Sequence, residues 1–247
     1  MFKIFSQKSN SQKRGACSLV FDDGYKETLV NVLPILKKYN IKATFAFATN
    51  PRAIEKTEKI PAASLEIAKK IKALGHEIAS HSINHVNLKN ASDADLEKEL
   101  KESQEILKAK TIVYPGGAFD KRVIETAKKY YFAGRGVEEE LNHIPPIDFF
   151  NLKSFVPNQK TDWNDLNKEA KRAARKNLWL IESYHLVASR QTDYRFTVTP
   201  KAFEEHLQKL TELNLWIAPL VVIGEYILKR LSSPPDKGEL EGVISSE

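Results

Sequence analysis

Ala16-Cys-Ser-Leu-Val-Phe-Asp-Asp-Gly24 is an apolar run that ends in two adjacent acids and a glycine. Read as a short buried strand, it carries both carboxylates to a strand end, where burying an unpaired one costs several kcal/mol unless a cation or hydrogen-bond donors compensate it. Packing alone does not explain two such acids; they ask for a partner. About sixty residues later, His81-Ser-Ile-Asn-His85 offers two imidazoles four positions apart. A His-x-x-x-His pair is a moderate metal signal by itself, because on a compact loop or helix turn both rings can face one point. Gly24 strengthens the reading, since it can adopt backbone angles that turn the chain sharply away from the acids.

Outward from this stretch, short β-type runs alternate with helical patterns, the order that builds a parallel sheet with crossover helices. Strands are expected near 16–21, 42–48, 77–80, 111–114, 132–135, 150–155, 178–184 and 215–219. Helices are expected near 26–39, 62–74, 93–108, 121–130, 163–176, 200–213 and 224–231. Ser92 can cap the third helix, with Asp95 three residues on, and Leu96, Leu100 and Leu107 then share a face. Gly75 suits a left-handed stop, and Pro200 a first helical turn. About eight strands in this order predict a distorted α/β barrel of a single domain, in which reactive groups gather at the C-terminal strand ends. The chain follows that rule repeatedly: Asp22-Asp23 follows the first strand, His81 and His85 the third, Tyr114-Pro115-Gly116-Gly117 the fourth, and His185 the seventh.

Composition limits the alternatives. A chain of 247 residues, 42% hydrophobic and 28% charged, fits one soluble barrel, and no apolar run is long enough to span a bilayer. Residues 1–14 read as a basic, polar extension without a signal-peptide core, so a cytoplasmic location is the default expectation. Residues 15–231 form the expected domain, and 232–247, rich in Ser, Pro, Gly and acids, a disordered tail. Cys17, the one cysteine, reads as a small core residue. Net charge is +6, with Lys168, Lys171, Arg172, Arg175 and Lys176 spread over one helix as a solvated face. No aromatic interleaving accompanies them, so no nucleic-acid partner is expected.

These motifs resemble those of the NodB-homology polysaccharide deacetylases, carbohydrate esterase family 4, over roughly residues 15–230. Val20-Phe21-Asp22-Asp23-Gly24 is similar to the family's first motif, Thr-Phe-Asp-Asp-Gly, and His81-Ser82-Ile83-Asn84-His85 to its second. The resemblance implies Asp23, His81 and His85 as ligands of one divalent metal, Zn2+ before Co2+, Mn2+ or Ni2+, and Asp22 as general base. It implies His185, in Ile181-Glu182-Ser183-Tyr184-His185, as general acid, with Ser183 where a leucine would line the acetyl pocket. In the third motif Val113 replaces an arginine and Gly116 an aromatic; Tyr114, Pro115 and Gly116 remain the substrate side, with the Gly116 N–H directed at the oxyanion. Arg135 is a candidate substitute for the missing arginine, against an ordinary structural role. Asp162-Trp163 is similar to the ending of the fourth motif, while Asp162 is equally good as a helix cap.

The function so implied is metal-dependent hydrolysis of N-acetyl groups on a glycan. Two further readings stay open: an amidase of the same superfamily acting on a small amide, and a catalytically silent glycan- or nucleic-acid-binding module. Oligomeric state is not readable, and similar proteins often act on the cell envelope.

Overall fold

The structure, a computed structural model, describes residues 15–232. Six strands form a continuous sheet: β1 (Gly15–Phe21), β2 (Thr44–Phe47), β3 (Glu77–Ser80), β4 (Thr111–Val113), β5 (Ala133–Arg135) and β6 (Trp179–Tyr184), in the order β5-β4-β3-β2-β1-β6. Every pairing is parallel. Two short strands, β7 (Leu186–Val187) and β8 (Thr197–Val198), pair with each other, and β9 (Leu215–Ile217) lies along the first residues of β1. The helices are α1 (Lys26–Lys38), α2 (Pro51–Glu58), α3 (Leu65–Ala73), α4 (Asp93–Leu107), α5 (Lys121–Ala127), α6 (Trp163–Lys176), α7 (Pro200–Thr211) and α8 (Leu220–Ser232).

The strand expected at 150–155 is irregular: Leu152 bridges Arg135 of β5 and Phe155 bridges Glu182 of β6. Backbone bonds from Gly136 N–H to Leu152 O and from Ser183 N–H to Phe155 O, each 2.8 Å, join it to both neighbours. This segment closes the sheet into the distorted barrel expected from the strand-helix order. Alternation sorts the side chains. Ala16, Val20, Ala46, Ala79, Val113, Ala133 and Ile181 cluster inside the barrel, whereas Leu19, Phe21, Phe45, Phe47, Ile78 and Ile112 pack outward against the helices. Apart from Trp179, whose indole N–H reaches Ser18 Oγ at 3.0 Å, these interior strand side chains are of small or medium size, because a narrow barrel leaves little volume at its axis. Cys17 is fully buried in the outer layer, as a small core residue should be.

Three elements depart from expectation. α2 and the β7–β8 pair stand where no element is expected, in the connections that follow β2 and β6. The last helix begins at Leu220 instead of 224, because its first donors are capped from elsewhere: Leu220 N–H reaches Thr44 Oγ1 and Val221 N–H reaches Glu77 Oε2, both at 2.9 Å. Glu77 also accepts from the hydroxyls of Thr44 and Thr111 at 2.7 and 2.6 Å. Burial pushes the Glu77 carboxyl above its ordinary value, and these bonds partly oppose it. Glu77 thus pins α8, whose Leu220, Ile223 and Ile227 plug the interior cluster, to β2, β3 and β4. The expected basic extension and tail lie outside the described residues, apart from Ser232, which ends α8.

His76, just before β3, accepts the Ala43 N–H through Nδ1 at 3.1 Å. Burial, and then the nearby Lys42 ammonium, hold its pKa down to about 4. The unfolded chain therefore binds more protons than the folded one between that value and the ordinary histidine pKa of about 6.5, so stability falls as pH drops through this window. Melting temperatures measured from pH 7 to 4 should decline accordingly, and His76→Gln should flatten the decline; an unchanged slope in that variant contradicts the assignment.

Candidate metal centre

Ser18 and Val20 face the barrel interior, and the next interior position along the chain is Asp22, the first residue past β1. On an extended strand the following carboxylate would point outward. Asp23 instead adopts φ +66 and Gly24 φ +62, and Gly24 N–H returns to Asp22 O at 2.8 Å. This left-handed turn brings both acids to one barrel mouth. A side chain at Gly24 would place Cβ 2.7 Å from the Phe47 ring, so the position needs glycine for space as well as for its angle.

His81 is the first residue past β3. Its Nδ1 lies 2.7 Å from Val113 O; because that carbonyl can only accept, Nδ1 carries the hydrogen and Nε2 presents its lone pair to the site. His81 Nε2 and His85 Nε2 stand 3.4 and 3.3 Å from Asp23 Oδ1. The three donor atoms lie within 4.8 Å of one another, and Asp23 Oδ1 is buried without a hydrogen-bond partner. An orphaned carboxylate oxygen facing two ring nitrogens is a donor set that fits a divalent cation. Burial alone would raise the Asp23 carboxyl, but the His81 contact and the neighbouring rings of His185, His81 and His85 hold it well below the usual carboxylate range. Burial and the charge of His81 push His85 down to about 4. For His81, burial works downward as well, yet the contact with Asp23 prevails and raises it.

Asp22 has a different partner. Arg135 Nη2 lies 2.7 Å from its Oδ1 and 2.5 Å from its Oδ2, and both side chains are almost fully buried. The end of β4 carries Val113, and the cation against the acid comes instead from the end of β5. Arg135 also donates to Gly136 O at 3.2 Å. That carbonyl accepts the Ser154 hydroxyl at 2.8 Å, and Ser154 Oγ is bonded in turn by Ser183 at 3.0 Å. Ser183 is therefore spent beneath the arginine and does not line the cavity.

His185 Nε2 stands 3.7 Å from Asp22 Oδ2, and its Nδ1 is buried without a partner. Its ring stacks on Phe196, centroids 5.0 Å apart. The β7–β8 pairing carries Phe196 there, a contact for which the sequence holds no local signal. All six of these polar residues line one cavity of about 60 Å³, closed on the other side by Tyr114, Gly116, Gly117 and Val137. Tyr114 contributes its ring, since its hydroxyl is committed to Phe150 O at 3.1 Å. Pro115 is buried under the turn and lies off the lining. Gly116 (φ +60) has open space where a Cβ would stand, and its N–H has no hydrogen-bond partner among the described residues. Asp162 and Trp163 are placed elsewhere: Asp162 caps α6 by accepting the Asn164 N–H at 2.8 Å, and Trp163 packs 5.3 Å from His206. The helix-cap reading of this pair is the one the structure shows.

Known proteins share this arrangement of fold and sequence. A Bacillus cereus peptidoglycan-N-acetylglucosamine deacetylase is 28% identical over 147 residues, covering 51% of this chain and 65% of the relative. The Xyl-CE4 domain of a multidomain xylanase from a Trinervitermes trinervoides hindgut metagenome superposes with TM-score 0.57 at 19% identity, covering 90% of this chain and 93% of that one. A CE4-family pseudoenzyme from Bacillus anthracis also superposes with TM-score 0.57, at 16% identity, over 85% of this chain and 67% of that one. At these identities the two structures speak for the fold alone. The chain spans 37% to 65% of the length of the first three curated relatives it matches. No helix among the described residues is long and apolar enough to cross a membrane. The family model described as polysaccharide deacetylase matches residues 9–134, a span that holds β1 to β4 and all of β5 but Arg135, with Asp22, Asp23, His81 and His85 at their mouth, and the chain belongs to that family.

Proposed function

We propose that this chain hydrolyses N-acetyl groups of a glycan with the help of a divalent metal, releasing acetate and a free amino sugar. The observation that carries the reading is the division of labour between two adjacent acids. Asp23 faces two ring nitrogens, while Asp22 faces Arg135 and His185. The name of the Bacillus cereus relative makes N-acetylglucosamine polymers, peptidoglycan first, the substrates of choice.

Asp23, His81 and His85 would hold the ion. A divalent ion in that donor set, Zn2+ by its one-oxygen, two-nitrogen composition, supplies Lewis acidity toward a substrate carbonyl and makes water a better nucleophile near neutral pH. Asp22, oriented by the two-oxygen contact with Arg135, accepts the proton of the attacking water. The free N–H of Gly116 donates to the oxygen on which charge develops, and being backbone it needs no reorganisation to do so. His185, its ring fixed by Phe196, gives a proton to the departing amine. The silent-module reading drew on the +6 charge and on the missing third-motif arginine; Arg135 against Asp22 answers the second of these.

Acetate release from N-acetylglucosamine oligomers and peptidoglycan should be abolished by a chelator and restored by Zn2+; release that survives chelation, or none from any substrate, overturns the reading. Asp22→Asn should bind the metal as the wild type does while turnover falls by about 10²–10⁴. Asp23→Ala and His81→Ala should lose metal affinity as well, so equal metal loss in Asp22→Asn would refute the assigned roles.

Arg135→Ala leaves a buried carboxylate without its cation, and should cost about 3–5 kcal/mol in chemical denaturation. Adding Asp22→Ala in that background should recover part of the loss. Simple additivity of the two substitutions would show that the ion pair is not the link.

A further inference from the structure

The two rings that face Asp23 are held by different means. His81 is fixed through its own Nδ1 on Val113 O. The His85 ring makes no hydrogen bond through Nδ1 among the described residues, so its place depends on the backbone of the loop that carries it. That loop holds two non-glycine residues in left-handed geometry, Ser82 at φ +63 and His85 at φ +54. Such a conformation is disfavoured for L-residues and persists when surrounding contacts over-determine it. Inside the loop, Ser82 Oγ accepts the His85 N–H at 3.1 Å.

From outside, the loop is gripped by Glu99 of α4. Glu99 Oε2 accepts the N–H groups of Ile83 and Asn84 at 2.8 and 2.9 Å, and Oε1 accepts from Asn84 Nδ2 at 2.6 Å. Asn84 Oδ1 in turn accepts from Asn50 Nδ2 at 2.8 Å, and Asn50 N–H donates to Ile83 O at 2.9 Å. Glu99 is 6% exposed and makes no ion pair among the described residues. A carboxylate buried on the same helix face as Leu96 and Leu100 is satisfied, therefore, by donors of one loop, and charge-assisted bonds of this kind are stronger and more directional than neutral ones. Helix packing alone would be served as well or better by an apolar side chain at this position.

We infer that Glu99 is the positioning residue for His85: it clamps residues 83 and 84 so that the second ring reaches the point faced by Asp23 and His81. The inference rests on the reading of those three residues as metal donors. It extends the site to α4, outside the motifs that the sequence marks.

The test uses the full chain carrying Glu99→Gln or Glu99→Ala, titrated with Co2+ against a chelating dye while the visible spectrum is recorded. Loss of the clamp should weaken cobalt affinity by about 10–100-fold, the usual range for groups that orient a ligand. It should also shift the cobalt absorption bands and speed amide exchange at Ile83 and Asn84 in the metal-free protein. Leu107→Ala lies on the same helix about 12 Å further along; it should lower the melting temperature while leaving affinity, spectrum and loop exchange unchanged. Wild-type affinity and spectrum in both Glu99 variants, or an equal affinity loss in Leu107→Ala, would overturn the inference alone. No cobalt uptake by the wild type would overturn the metal reading itself, and this inference with it.

Discussion

Two neighbouring carboxylates buried at the mouth of a narrow barrel are the constraint around which this molecule is arranged. Each would be prohibitively costly without compensation, and each is compensated by a different partner. Arg135 spans both oxygens of Asp22 from the end of β5, while Asp23 turns toward the imidazoles of His81 and His85. The separation is made by backbone geometry. Without the left-handed turn at Asp23 and Gly24, strand alternation would put the two acids on opposite faces of the sheet, and they could not share one barrel mouth.

Left-handed residues recur around the same opening: Ser82 and His85 in the histidine loop, Gly116 and Gly117 after β4. Conformations of this sort are sustained by their surroundings, and here the surroundings are visible. Glu99 and Ser82 hold the histidine loop, and the Phe47 ring occupies the space beside Gly24. Below them the barrel is filled by aliphatic side chains and Trp179 and plugged by α8, which Glu77 anchors at the opposite end. A rigid, apolar interior under a strained polar rim is a sound way to keep several charged groups within a few ångströms of one another.

Much of this was legible in the chain. The alternation of apolar runs and helical patterns yields the parallel barrel, because strands buried on both faces are continuously apolar. The acid pair and the His-x-x-x-His spacing point to the centre itself. For Asp162 the sequence left two uses open, since a residue before a helix serves equally as its cap and nothing local separates the two; in the structure it caps α6. Ser183 misled for a related reason: a strand position is visible in sequence, but which neighbour consumes its hydroxyl is not.

What the sequence by itself determined is which polar residues stand at the strand ends around the barrel mouth, because periodicity and spacing are local properties of the chain. The tertiary structure alone decided which partner each group meets: that Arg135 meets Asp22, that Phe196 stacks on His185, and that Glu99 grips the histidine loop. Those contacts join residues from 11 to 113 positions apart. They exist only once the barrel has closed and set neighbouring strand ends side by side, and no local pattern encodes a distance that closure creates.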